Sequence, residues 1–269
     1  MDYRSSPPLC CRAPQGQQRP TFGRKMKSLY LAIQQHESRR WSPVAKVTKN
    51  GGVYRLVYTK GAWEVPGFSG FARMEDLYQE YRSAEIFPIL KNRTLPRSRP
   101  EYQNYILWLG LSPEEHDELD ELARSGGIRA TDQIELIPAP ERKEDGSFEA
   151  FFFVRGISYI PGTADIDLKI GDRLFVMKDF QNEQDSAALL LRTGDPVSVV
   201  GYAPRYYSHD LSRLAQLCPP QDLLVTVERL NNNAPAAYKV LCKVVAPWPA
   251  GFDFFGSHVF DEVPKAPVS

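Results

Sequence analysis

Histidine and cysteine are scarce in this chain, and their scarcity removes most ready-made catalytic and metal centres. The four histidines, His36, His116, His209 and His258, stand at no metal-binding spacing from one another or from a cysteine. The acidic run Glu114-Glu115-His116-Asp117-Glu118 spreads its carboxylates around more than one helix face and reads as a solvated helix start. Ser208-His209-Asp210 are adjacent, so they do not line up as nucleophile, base and orienter, and they read as the start of a short helix. No Gly-x-Ser-x-Gly, Walker loop or Rossmann fingerprint occurs. The expectation is a protein that is not an enzyme and takes no cofactor or metal.

Cys10, Cys11, Cys218 and Cys242 have neither zinc-site spacing nor the look of a disulfide framework, and they read as reduced thiols of a cytoplasmic protein. No apolar run approaches the ~20 residues that span a bilayer, and the first 25 residues lack the apolar centre of a signal peptide. Global charge of one sign is missing too, because 33 Lys+Arg balance 33 Asp+Glu. The balance is uneven locally. Residues 26–110 hold 13 basic against 7 acidic side chains and residues 111–150 hold 4 against 12, which allows a basic face on the first half.

What is present divides into modules. Residues 1–25, rich in Pro, Gln and Arg, read as a disordered tail. Met26 opens MKSLYLAI like the start of a strand, so those 25 residues read as an upstream extension. SLYLAI, WSPVAKVT and VYRLVYT alternate as strands, the last two joined across Asn50-Gly51-Gly52 as a hairpin. Residues 74–82 and 99–109 are expected as helices, the second from apolar residues at Tyr102, Tyr105, Ile106 and Leu109. A further helix is expected after the Ser112 cap and Pro113, ending near Gly126-Gly127. The charged turn at 141–147 is the expected boundary between an α+β N-terminal module (26–140) and a mainly β, OB-like small barrel with one short helix (148–246). A C-terminal tail (247–269) follows.

The second module carries ordered motifs: a strand ending at Tyr159, Gly171-Asp172-Arg173-Leu174, an Asn182-x-x-Asp185-x-x-Ala188 loop, and the corner Val200-Gly201-Tyr202-Ala203-Pro204-Arg205. In order and spacing these resemble the HIRAN domain over about 95 positions. The resemblance implies an OB-type barrel that grips the 3′-hydroxyl end of single-stranded DNA. It implies that Tyr159 stacks on a base, with Ile160 packing beside it, and that Asp185 recognises the terminal hydroxyl. Tyr202 and Arg205 would stand at the strand-to-helix corner, Arg205 meeting a phosphate, and Arg155 would lie nearby in the same strand as Tyr159. Ser158 and Gln184 depart from the family, which usually has a basic and an aromatic residue there. The bland readings are a rim tyrosine at 159, a loop cap at Asp185 and a core ring at Tyr202.

More loosely, the first module is similar in order to the N-terminal part of HipA-type kinases, without their catalytic machinery. The expected function is a non-catalytic accessory that binds single-stranded DNA ends, in DNA repair or phage defence. The rival expectation is a protein–protein adaptor that regulates a partner enzyme or toxin and binds no DNA.

Overall fold

The computed structural model describes residues 27–37, 40–161 and 166–265. The tail expected at 1–25 lies outside the described residues, as do Cys10 and Cys11.

Alternating runs near the start form β1 (Lys27–Gln34), β2 (Trp41–Asn50) and β3 (Val53–Tyr58). The β2–β3 turn uses Gly51 and Gly52 at φ 55° and 88°, which a side chain would strain. With β4 (Tyr81–Ser83) and β5 (Ile134–Pro138) they make an antiparallel sheet of order β4-β3-β2-β1-β5. β1 is apolar on both faces for a reason. Leu29 and Leu31 enter a core shared with the helices α1 (Pro88–Lys91) and α3 (Glu118–Ser125), while Tyr30 and Ala32 enter the core of the second sheet.

That second sheet contains β6 (Ser147–Phe153), β7 (Arg173–Lys178), β8 (Leu189–Arg192), β9 (Val199–Tyr202), β10 (Leu224–Leu230) and β11 (Val240–Pro247), in the order β6-β11-β10-β7-β8-β9. It curls into an OB-like half-barrel, with α4 (Arg205–Leu217) against it. β6 is also covered twice: Phe148, Ala150 and Phe152 face the barrel core. Phe153 meets Tyr102, Ile106 and Leu109, which belong to α2 (Tyr102–Trp108) or follow it directly. The fold class read from the sequence is the one observed.

Three local expectations need correction. Residues 74–80 hold a bridge and a turn that lead into β4, which takes Tyr81 and Arg82. The Asp76 carboxylate accepts from Tyr78 N (2.9 Å), Tyr81 Oη accepts from Asp76 N (3.0 Å), and the buried Tyr58 hydroxyl donates to the Met74 carbonyl (2.5 Å). These side-chain bonds satisfy backbone groups that a helix would have to pair itself. The helix expected after Ser112 begins instead after Asp117, whose Oδ1 accepts from Asp120 N while Asp120 Oδ2 accepts from Asp117 N, both at 3.0 Å. It ends at Gly126, φ 73°, as the glycine pair suggested. Asp210 lies inside α4 rather than at its start, since the helix begins five residues earlier.

The C-terminal segment is not a tail. Trp248 N donates to Gly146 O (2.8 Å), and Phe255 N donates to the buried Asp210 carboxylate (2.9 Å). The Phe255 ring stacks on Tyr207 and Phe260 and meets Tyr30 edge-on. Val263 N then donates to Tyr58 O (2.9 Å), and Glu262 takes both guanidinium nitrogens of Arg55 at 2.9 and 2.8 Å. Residues 248–263 therefore strap the half-barrel to the first sheet, driven by aromatic burial that no local pattern advertises. Cys218 and Cys242 are buried free thiols, and burial pushes Cys242 up to about 12.

The strap should hold both halves. Phe252, 2% exposed, changed to alanine is expected to cost about 3–5 kcal/mol of unfolding free energy in urea. A protease cut within 141–147 should leave two fragments that still co-elute in gel filtration. Separate elution of the halves would show that the shared core does not join them.

Candidate functional site at the mouth of the half-barrel

Beyond β6 the chain continues through Val154 to Arg155, which meets the end of β9. Arg155 N donates to Tyr202 O and Tyr202 N donates to Arg155 O, both at 2.8 Å. These two bonds join the outermost strands of the curled sheet. The approach is close enough to require glycine at 201, because a Cβ there would sit 2.7 Å from the Arg155 carbonyl oxygen and closer still to Val154 Cγ1. This explains the glycine of the Val-Gly-Tyr corner. Gly156, at φ 73°, then starts the short turn Ile157–Tyr159, with Tyr202 packed over it.

The junction opens into a cavity of about 340 Å³ lined by Arg155, Asp185, Tyr202 and Arg205, together with Asn182 and Glu135. Four of the six residues expected at a site therefore converge. The loop before β8 is built by short polar side chains. Asn182 Oδ1 accepts from Gln184 N (3.0 Å) and Asp185 N (2.9 Å), and Asp185 Oδ1 accepts from Ala187 N (3.0 Å). Asp185 is thus a loop cap, as the bland reading held. Its Oδ2 also lies 3.7 Å from Arg205 Nε, so one carboxylate oxygen is held by the loop and the other faces the cavity's cation. Tyr202 Oη donates to Asp179 Oδ2 (2.9 Å), and burial followed by that carboxylate keeps the phenol above its ordinary pKa.

The other two expected residues lie elsewhere. Tyr159 is 90% exposed at the end of its turn, outside the cavity wall, and its N–H donates to the carbonyl of Gly156, which does line it (2.9 Å). Ile160 lines a separate cavity of about 460 Å³ with Ile157, Ile166 and Leu230. Turn geometry places them so, because a short 3-10 turn ends the strand that sequence alone extends through Ile160.

Arg155 takes a different role from a free phosphate ligand. Its guanidinium lies 2.5 Å from Glu135 Oε1 of β5, so its charge is already matched by the first sheet. Burial holds the Glu135 carboxyl above its ordinary value while Arg155 opposes that rise. A carboxylate inside the apolar strand Ile-Glu-Leu-Ile was the sequence signal that a buried partner existed. Phe180 was also missed. It is 85% exposed, beside the Asp179 that holds Tyr202, with Lys178 Nζ 5.2 Å from its ring centroid.

The basic excess of residues 26–110 does not make a broad basic face. Lys27 and Lys49 bind Asp117, Arg55 binds Glu80 and Glu262, Lys60 binds Asp261, and buried Arg93 binds Asp132. His116 is not solvated either. It is buried, with Nε2 2.7 Å from Tyr102 Oη and Nδ1 2.7 Å from Ser112 O. Among the described residues no group of three or more His, Cys, Asp or Glu is placed to hold a metal ion, and no helix is long and apolar enough to cross a membrane.

A curled sheet whose open mouth collects a carboxylate, a tyrosine and an arginine is a binding module in form. The HIRAN domain family model matches residues 147–249, and that stretch is a HIRAN domain. Two solved structures are similar. The HIRAN domain of human HLTF is 15% identical, with a TM-score of 0.28, covering 38% of this chain and 80% of that one. A protein from Lactobacillus plantarum is 16% identical, with a TM-score of 0.28, covering 38% of this chain and 99% of that one. No curated protein matches the chain. The family match does not reach the first sheet, and a HipA-like character for it has no support beyond the order of its elements.

The Glu135–Arg155 pair ties the first sheet to the cavity wall, so Glu135→Gln should lower stability by roughly 2–3 kcal/mol in urea denaturation. A variant as stable as the parent would show that the pair contributes no net stability.

Proposed function

We propose that the half-barrel binds single-stranded DNA at its 3′-hydroxyl end, without chemistry of its own, and that the first sheet serves as its scaffold. The observation that carries this reading is the convergence of Asp185, Tyr202 and Arg205 on one cavity at the mouth of a HIRAN domain. A carboxylate accepts a hydrogen bond from a terminal hydroxyl and repels a terminal phosphate. Asp185 is pre-oriented for that task by Ala187 N, which fixes one oxygen. Arg205, at the first turn of α4, supplies positive charge for the phosphate that precedes the terminal nucleoside.

Stacking comes from the rim rather than from inside the cavity. Tyr159 and Phe180 are the two most exposed large hydrophobic side chains among the described residues; Tyr159 ends the turn after Arg155, which pairs with Tyr202, and Phe180 follows Asp179, which accepts from Tyr202 Oη. Each offers a flat face to a base, and a base stacked on an aromatic ring contributes about 1–3 kcal/mol. Phe180 takes over the role that Gln184 leaves unfilled. An accessory role in DNA repair or phage defence fits a module that recognises ends and does not process them.

Fluorescence anisotropy with matched oligonucleotides separates the parts. Tyr159→Ala should weaken binding to every single strand by about 1–3 kcal/mol. Asp185→Asn should chiefly erase the preference for a 3′-hydroxyl over a 3′-phosphate, with up to about 1 kcal/mol of stability lost through the loop cap. Arg205→Ala should reduce the salt dependence by about one phosphate contact. If the folded variants all bind like the parent, or the parent binds both ends equally, end recognition is wrong.

A further inference from the structure

The outer face of β7, β8 and β9 has the composition of a nucleic-acid surface, and it leads away from the cavity. Register places Tyr202 opposite Leu190 and Leu190 opposite Met177, so these three share a face. The next row is Phe175, Arg192 and Val199, and Arg173 lies two residues further along β7. The alternate residues Leu174 and Leu191 enter the barrel core, which fixes this row as the outward one. Met177 is 43% exposed.

Two cations flank the Phe175 ring on this face. The guanidiniums of Arg173 and Arg192 each lie 5.0 Å from the Phe175 ring centroid. Each is held by a backbone carbonyl: Arg173 donates to Pro220 O (2.8 Å) and Arg192 to Thr193 O (2.9 Å). Among the described residues neither has a carboxylate partner within 4.0 Å, in contrast to Arg55, Arg93 and Arg155. Guanidinium planes held over an aromatic ring present both charge and a stacking surface. The Phe175 cluster opens on a cavity that Arg173 and Phe175 line together with Asp167, Asp172 and Asp195, so the sign of the charge changes there. A polyanion is welcome along the rows and repelled where they end.

We propose that this face carries the nucleotides upstream of the bound 3′ end, running from Tyr202 over Leu190 and Met177 to the Phe175 cluster, and that the acidic cavity sets the limit of the track. The proposal rests on the end-binding reading for its polarity. Rows along a strand are about 6.7 Å apart, so the face has room for a few nucleotides. The total footprint is roughly four, at the low end for one OB-type fold.

The test uses the full chain and labelled oligothymidylates with a 3′-hydroxyl, of two, four, six and eight nucleotides. Affinity should rise from two to about four nucleotides and then level off. Arg192→Ala should weaken the six-nucleotide strand about tenfold and leave the dinucleotide unchanged. Arg192→Lys should keep the parent's salt dependence, while Arg192→Gln and Arg173→Gln lower its slope by about one and retain a side-chain donor for the local carbonyl. A thermal melt of each variant confirms folding. Affinity that is flat with length, or glutamine variants that bind the six-nucleotide strand like the parent, would overturn the track. Loss of hydroxyl preference with length dependence intact would sink the end pocket alone. No binding to any strand would sink both.

Discussion

Everything at the candidate site depends on the pair of backbone hydrogen bonds between Arg155 and Tyr202. A six-stranded sheet that curls without closing leaves two edges, and unpaired edge groups are costly when buried and hazardous when exposed. Here the edges meet at one residue pair, and the meeting is tolerated only because position 201 has no side chain. The same residue that joins the edges through its backbone reaches Glu135 of the first sheet with its guanidinium. One arginine thus fixes the shape of the half-barrel mouth and the position of the neighbouring sheet against it. The cavity is the space that remains beside this junction.

The charge layout follows from the same economy. A chain with equal numbers of acids and bases has no charge to scatter, so where pairing is incomplete becomes the informative feature. Around the first sheet, acids from 111–150 and from the C-terminal strap neutralise several of the basic side chains, as Asp117 does for Lys27 and Lys49 and Asp261 for Lys60. On the outer face of the half-barrel, Arg173 and Arg192 are matched to an aromatic ring and to carbonyls instead. A carboxylate partner cancels a cation's field, whereas a ring or a carbonyl fixes its position and leaves the field in place.

Local chemistry was legible in the sequence wherever a residue acts on its own neighbourhood. Asn50-Gly51-Gly52 marked a hairpin because positive φ belongs to those residue types, and Asn182 and Asp185 marked an ordered loop because their carboxyl and amide oxygens reach backbone two or three residues on. Gly201 and Tyr202 were recognisable through a family pattern whose cause, close strand approach, only the geometry reveals. For that reason four of the six residues expected at a site line one cavity. Several of the failures share a cause, which is a partner distant in sequence. Residues 74–82 have helical spacing, yet Tyr58, far upstream, captures the Met74 carbonyl. Residues 248–263 look like a tail until Asp210, Tyr207, Tyr30 and Arg55 are in place to receive them. Arg155 was placed beside Tyr159 with no partner in view because Glu135 is twenty residues away.

Asp185 shows why a structural reading and a functional reading of one residue need not compete. A carboxylate free on both oxygens would rotate, and ligand binding would have to restrain it. By bonding Ala187 N through Oδ1, the loop restrains it in advance, and Oδ2 is left directed toward Arg205 in the cavity. Under the proposed end-binding reading the cap is a condition for selectivity, since discrimination between a hydroxyl and a phosphate needs the negative charge at a fixed point. Arg205, at the start of α4 and 3.7 Å from that oxygen, limits the cost of holding the charge there before a ligand arrives. The order of dependence runs from the missing side chain at 201 to the strand junction, and from the loop cap and the helix start to the orientation of one carboxylate oxygen.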